Sequence, residues 1–184
     1  PWRLEWPARW SFLGVSCEPF GKDHAAAGGS YESAKEIMDK ILGGRTPHPV
    51  VYEWIQLKGK GAMSSSTGVV VTGADMLKMT PAEVLRFMVM RVDPRKHIDF
   101  DPGFGILNLV DEYDRYEEIF FDIREGEKSA GEKKRIFELS QVSPQSQDST
   151  APAHRISYRH LVSLVQIDPN LNEVLSRLKR TENI

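Results

Sequence analysis

The sequence is poor in cysteine: Cys17 is the only one among 184 residues. A disulfide within the chain is therefore excluded, and so is a zinc site built from several cysteines. The lack of a disulfide framework favours a reducing, cytoplasmic setting. Because Cys17 has no cationic cluster near it in sequence, we expect an ordinary buried thiol.

Long apolar runs are also missing. No stretch approaches the ~18 consecutive apolar residues of a membrane span, so no membrane partner is expected. The opening residues 1–6 show no signal-peptide pattern. Since the first residue is Pro rather than Met, we expect a fragment of a longer protein, with a processed N-terminus as the alternative.

The chain has no excess of positive charge, since 24 Lys and Arg stand against 26 Asp and Glu. This excludes a generally basic nucleic-acid coat, although a few well-placed cations could still bind phosphates. Hydrophobic residues make up 40% of the chain and charged residues 27%, which is typical of a globular protein. The length fits one domain, or one domain and part of another.

The first 72 residues alternate short apolar runs with glycine and proline. We predict a buried strand at 12–15, a helix at 31–42 and a second strand at 49–55. Strand, helix and strand within about 45 residues is the spacing of a βαβ unit in a parallel sheet. Ser30 or Ser33 is the expected N-cap of the helix, which Gly43-Gly44 should end.

After residue 72 helical patterns dominate. Thr80 and Glu83 fit a capping box with Pro81 at the first helical position. An apolar stripe should follow, and its members are Val84, Leu85, Met88 and Val89. Further helices are predicted at 106–121, 157–167 and 170–180. A linker is predicted in the polar segment 140–152.

Acidic residues are concentrated at 111–127, where eight acids and two arginines give a net charge of −6. We interpret this segment as a solvated helix face that would repel nucleic acid.

The most informative stretch is the loop Lys58-Gly59-Lys60-Gly61-Ala62-Met63-Ser64-Ser65-Ser66-Thr67-Gly68. Glycine lets the backbone approach a ligand, and successive N–H groups of such a loop can form an anion-binding concavity. Lys58 and Lys60 add positive charge, so the loop suits the phosphates of a nucleotide. It is not a Walker loop, and composition alone leaves a flexible linker as an equal alternative.

The order of these residues resembles the Lys-Met-Ser-Lys-Ser signature loop of class I aminoacyl-tRNA synthetases. Further runs resemble class I lysyl-tRNA synthetases over nearly the whole chain, at 2–10, 18–31, 68–72, 75–77, 81–87, 99–101, 110–115 and 156–161. Two signature lysines are replaced, by Ala62 and Thr67. Lys60 or Lys58 is the candidate to supply the missing charge.

The resemblance implies an α/β fold in which part of a Rossmann-like nucleotide-binding parallel sheet precedes an all-α helical region. It implies the joining of lysine to tRNA(Lys) through a lysyl-adenylate, with ATP and substrate-associated Mg²⁺ but no metal held by protein side chains. The phosphates and their developing charge would be held by Met63, Ser64, Ser65 and Ser66, with Lys60.

Two further groups of site residues are implied by the resemblance. Nucleoside contacts are implied for Gly21, Asp23 and His24, at the carboxyl end of a predicted strand. The lysine pocket is implied to contain His24, Trp2 and Tyr52, since aromatic faces attract an ammonium group. Core packing is the alternative for both aromatic residues, and it is the expectation for Trp6, Trp10 and Trp54.

The resemblance also implies a division of the chain. Residues 1–78 would be the second half of the catalytic domain, and residues 79–140 a helical stem-contact region. A linker or loop would occupy 141–155, and the anticodon-binding helices would begin within 156–184. Because no His-Ile-Gly-His-like tetrad occurs, we expect the chain alone to be nearly inactive.

Two other functions stay open. One is a non-catalytic nucleotide- or RNA-binding module that uses the same loop and the basic C-terminal segment. The other is a class I synthetase specific for glutamate or cysteine, against which the tryptophan run at 2–10 and the run at 28–31 both argue.

Overall fold

The computed structural model describes residues 2–63, 71–143 and 156–181, with the backbone alone for Trp2 and Ala62. The chain forms two compact units. The first consists of Pro1–Thr67 and Val92–Asp99, and the second of Gly68–Arg91 and Phe100–Ile184. Among the described residues, no helix has both the length and the apolar character needed to span a bilayer.

The first unit is built around a βαβ arrangement. In chain order its elements are α1 (Trp2–Leu13), β1 (Cys17–Gly21), a 3-10 turn (Lys22–Ala25), α2 (Ser30–Ile37), a π-helical turn (Met38–Leu42), β2 (His48–Tyr52), β3 (Ile55–Leu57) and β4 (Gly61–Ala62). Strands β1 and β2 pair in parallel, from Cys17↔His48 to Gly21↔Tyr52. A second sheet has the order β4-β3-β5, with β5 at Ile98–Phe100. The predicted parallel pair joined by a helix is confirmed.

The first predicted strand is wrong in position. Residues 12–13 end helix α1, and their side chains are exposed, at 88% for Phe12 and 65% for Leu13. Gly14 takes φ +63°, and the Val15 N–H donates to the Trp10 carbonyl at 3.1 Å, which closes the helix as a Schellman motif. A short apolar run does not distinguish a strand from a helix end.

Helix α2 and the π-helical turn that continues it to Leu42 together match the helix predicted at 31–42. The N-cap of α2 is Gly29 rather than Ser30 or Ser33, because Ser30 is already the buried first helical residue. The Ser33 hydroxyl instead donates to the Gly29 carbonyl at 3.1 Å. The predicted stop is confirmed, since Gly43 is the C-cap with φ +64°.

Tryptophans supply much of the core of the first unit. Trp10 packs with Ala34 and Met38, and Trp6 lies against this cluster. The expectation of burial is confirmed for Trp10 and wrong for Trp54, which is 41% exposed. The expected burial of Cys17 is also wrong. Its thiol is free and exposed, because Cys17 starts β1 on the face of the strand that points outward.

The second unit is helical. Its helices are α3 (Gly73–Met79), α4 (Ala82–Met90), α5 (Phe104–Phe120), α6 (Ala130–Ser140), α7 (Tyr158–Ile167) and α8 (Leu171–Thr181). Phe87 and Phe137 are fully buried, and Phe87 meets the Tyr116 ring edge-on at 4.8 Å. The predicted order, a Rossmann-like α/β region followed by helices, is confirmed.

The capping box predicted at Thr80 and Glu83 does not form. Pro81 occupies the N-cap of α4, and no side chain caps that helix. The Thr80 hydroxyl is buried without a hydrogen-bond partner among the described residues. A capping box does form one helix earlier, where Asp75 N–H donates to the Thr72 hydroxyl at 3.2 Å and Thr72 N–H donates to the Asp75 carboxylate at 3.3 Å.

The stripe predicted on α4 is only partly correct. Val84 and Met88 are buried as expected, whereas Val89 is 47% exposed and Phe87 is buried in its place. Val84, Phe87 and Met88 have the i, i+3 and i+4 spacing of one helix face, whereas Val89 lies beyond that face.

The acidic segment is less solvated than expected. Glu127 is 13% exposed and pairs with Arg115 at 2.5 Å and with Lys133 at 2.7 Å. Glu112 pairs with Arg91, the C-cap residue of α4, at 3.0 Å. Several acids of α5 and the following turn therefore bind neighbouring elements, which explains why so much negative charge is tolerated in a helical unit.

Candidate functional site

The carboxyl ends of the two parallel strands bring Gly21 and Tyr52 together. These residues face each other as the last register pair of β1 and β2. The Tyr52 ring lies over Gly21, since a Cβ built on this glycine would be 3.8 Å from Tyr52 Cε2. Tyr52 is 47% exposed. Ligands of open α/β sheets bind at this edge, so the pair lies where the sequence predicts a site.

The 3-10 turn that follows β1 carries the next two predicted residues. Asp23 and His24 are both exposed, and the turn contacts β2. His24 Nδ1 lies 3.2 Å from the Ser30 hydroxyl, and its ring is edge-on to Trp6 at 5.7 Å. These contacts orient the imidazole while leaving it open to solvent. The structure thus brings Gly21, Asp23, His24 and Tyr52 to one edge.

Sequence reasoning missed the charged cluster beside this edge. Lys22 Nζ lies 2.7 Å from Glu53 Oε2, and His97 Nδ1 lies 3.4 Å from the same oxygen. The contact with Lys22 lowers the pKa of Glu53 below its ordinary value and outweighs the opposing effect of desolvation. The signal was present in the sequence, because Lys22 follows Gly21 and Glu53 follows Tyr52.

The signature loop is described only in part. Strands β3 and β4 form an antiparallel hairpin, with Gln56 opposite Ala62. Its turn, at residues 58–60, is closed by the Lys60 N–H donating to the Leu57 carbonyl at 2.9 Å. The first part of the predicted loop is therefore a tight hairpin that exposes Lys58 and Lys60.

Several predicted site residues fall beyond this hairpin. Met63 is half-buried and directly follows β4. Ser64, Ser65 and Ser66 lie outside the described residues, as does the side chain of Trp2. The roles predicted for them, and the replacement of the signature lysines by Lys58 or Lys60, stay predictions.

The described side chains define the chemistry available at the edge. Asp23 offers a carboxylate to accept hydrogen bonds from hydroxyl groups, and Tyr52 offers an aromatic face that attracts cations. His24 offers an oriented ring nitrogen. Within residues 2–63, 71–143 and 156–181, no cluster of three or more His, Cys, Asp or Glu side chains could hold a metal ion.

Comparison with known proteins adds to this geometry. The family described as "tRNA synthetases class I (K)" matches residues 1–143. A lysine--tRNA ligase of Picrophilus torridus is 47% identical over 181 residues, covering 98% of this chain and 34% of the relative. Lysine--tRNA ligase 1 of Methanosarcina acetivorans is 49% identical over 183 residues, covering 98% of this chain and 32% of the relative. The chain therefore spans about a third of the length of these curated relatives.

Proposed function

Because the chain belongs to the class I (K) tRNA synthetases, we propose that it is part of a lysine--tRNA ligase, which activates lysine with ATP and transfers it to tRNA(Lys). The names and identities of its relatives support this specificity. The observation that carries the proposal is the meeting of Gly21, Asp23, His24 and Tyr52 at the carboxyl edge of a parallel strand pair.

Each of these residues has a role in the proposed site. Gly21 lets a nucleoside approach the end of β1, and the exposed Asp23 carboxylate accepts hydrogen bonds from ribose hydroxyls. Tyr52 presents its ring to the side chain of lysine, where a cation–π contact is worth ~0.5–2 kcal/mol. His24, oriented by Ser30, lies close to the amino acid. The resemblance assigns Trp2 to the same pocket.

The proposed reaction has two steps. The carboxylate of lysine attacks the α-phosphorus of ATP and forms lysyl-adenylate, while pyrophosphate leaves. The adenylate then loses AMP as a hydroxyl of tRNA(Lys) takes the lysyl group. Met63, Ser64, Ser65 and Ser66, with Lys58 or Lys60, would stabilise the negative charge that develops on the phosphates. Mg²⁺ would arrive with ATP and neutralise part of the same charge.

The helical part of the chain would serve tRNA. We assign residues 79–140 to stem contact, 141–155 to a linker or loop and 156–184 to the start of the anticodon-binding helices. A cytoplasmic location is part of the same proposal, since protein synthesis takes place there.

The decisive experiment measures amino-acid-dependent exchange of pyrophosphate into ATP by a full-length protein that contains this chain. We expect exchange with lysine and charging of tRNA(Lys), with glutamate and cysteine as matched alternatives. The 184-residue chain alone should be nearly inactive. Exchange driven by glutamate or cysteine would refute the lysine specificity. Binding of nucleotide or tRNA without any exchange would favour a binding module instead.

A further inference from the structure

We propose that Glu53 is a positioning residue of this site, and that its ion pair with Lys22 holds the turn carrying Asp23 and His24 against the end of β2. This inference rests on the proposed function, since it concerns how the same site is kept in shape. Glu53 itself touches no substrate in this scheme. It acts through Lys22, to which it binds at 2.7 Å.

The ion pair between Lys22 and Glu53 lies one residue beyond the point where the backbone pairing of β1 and β2 ends. The last partners in the β1–β2 ladder are Gly21 and Tyr52. The next residue on each strand is Lys22 and Glu53, respectively, and after Gly21 the backbone turns into the 3-10 conformation. Opposite charges at this step therefore join the start of the turn to the end of the neighbouring strand.

Glu53 is itself held from its other side. Its backbone N–H donates to the Pro94 carbonyl at 2.8 Å, and the next residue, Trp54, accepts from the Ile98 N–H at 3.1 Å. His97 Nδ1 approaches the carboxylate at 3.4 Å. Residues 94–98 therefore fix the backbone around Glu53 and place one imidazole ring beside its carboxylate. This makes the carboxylate a suitable anchor for the flexible lysine side chain, and hence for the turn that Lys22 begins.

Burial separates this pair from an ordinary surface ion pair. The Glu53 side chain is 21% exposed and Lys22 40%, whereas Glu36 of α2 and Lys40 of the following π-helical turn are 69% and 71% exposed. Exposed pairs of that kind contribute little, because water and salt screen them. The less screened Lys22–Glu53 pair can hold a fixed geometry, and small misplacements of binding groups weaken a site strongly.

The test uses the full-length enzyme and lysine-dependent pyrophosphate exchange. Glu53→Gln keeps the shape of the side chain but removes its charge, and we expect KM for ATP and lysine to rise about five- to tenfold. KM for tRNA(Lys) in aminoacylation should stay unchanged. Glu36→Gln removes a carboxylate from the exposed pair and serves as the matched control, with unchanged kinetics.

A double-mutant cycle identifies the partner. Lys22→Met should raise the same two KM values, and Lys22→Met/Glu53→Gln should be no worse than the more impaired single variant, since both remove one interaction. Lys22→Arg should restore most of the affinity. If the double variant raised KM by the product of the two single-variant increases, the proposal would be overturned. So would a Glu53→Gln enzyme with a lower melting temperature but the KM values of Glu36→Gln.

Failure of the underlying function would look different. A wild-type enzyme without lysine-dependent exchange would refute the proposed function and this inference together. A fully active wild type whose Glu53→Gln variant matches the control would refute only the positioning role.

Discussion

Removal of the Glu18 carboxylate should lower the free energy of unfolding of the first unit more than removal of any exposed acid. Glu18 accepts one hydrogen bond from each of two tryptophans. Trp6 Nε1 donates to Oε1 at 2.9 Å, and Trp10 Nε1 donates to Oε2 at 3.0 Å. Trp10 is 1% exposed, so its indole N–H cannot turn to water when the acceptor is lost. Loss of this carboxylate therefore removes the hydrogen-bond acceptor of both tryptophans at once.

The magnitude follows from the two bonds. Leaving a buried donor unsatisfied costs about 1–3 kcal/mol. Since Trp10 is fully buried and Trp6 only partly, we expect Glu18→Ala to lower the free energy of unfolding by about 2–4 kcal/mol. Glu18→Gln retains one acceptor oxygen and places an amide NH₂ against the other indole, so it should lose about half as much.

The assay is urea denaturation of the chain followed by tryptophan fluorescence. All four tryptophans belong to the first unit, so the signal reports that unit and not the helices of the second. Glu5→Gln is the matched control, because Glu5 pairs with Arg9 on the exposed face of α1. If Glu18→Gln were no more destabilising than Glu5→Gln, the two indole bonds would not carry the stability assigned to them.

Two further predictions concern the second unit. Phe137 is fully buried, so Phe137→Ala should lower the free energy of unfolding by about 3–5 kcal/mol, as measured by circular dichroism in urea. Leu139→Ala, at a side chain 36% exposed, should cost far less, and equal losses would contradict the assigned core. Contacts with Lys133 and Arg115 lower the pKa of Glu127 to about 2. Its stabilising contribution is therefore present above the ordinary carboxyl pKa and lost as the pH falls towards 2, so Glu127→Gln should flatten the decline of the urea midpoint between pH 5 and about 2. An unchanged slope would refute this role.

The architecture was predictable where spacing alone determines it. A helix at 31–42 between two β-rich runs implies a parallel pair, and β1 and β2 form one. The exact strand ends were not predicted, because the expected strands at 12–15 and 49–55 do not end at Gly21 and Tyr52, whereas β1 and β2 do. What spacing cannot supply is register: only the observed pairing brings Lys22 to Glu53, which are 31 positions apart.

A local signal failed at the start of α4. Thr80 with Glu83 fits the capping pattern, yet the box does not form there. Pro81 occupies the N-cap of α4 with extended backbone and shifts the helix start by one residue, while the box that the structure does contain caps α3 at Thr72 and Asp75. The end of α1 failed for a related reason: Phe12 and Leu13 are apolar but exposed, and hydrophobicity alone assigns them to a core.

A comparison of Gly21 with Gly29 shows whether the packing of the protein requires glycine at position 21. At Gly29 a Cβ would lie 2.5 Å from the Ala26 carbonyl oxygen, so the packing of the chain demands glycine there. At Gly21 the backbone is extended, with φ −65° and ψ 148°, and a Cβ would meet only the Tyr52 ring at an ordinary 3.8 Å. Neither strain nor crowding within the described residues excludes a side chain at this position. The described residues therefore leave this position at the end of β1 open, which supports the proposal that a nucleoside approaches there.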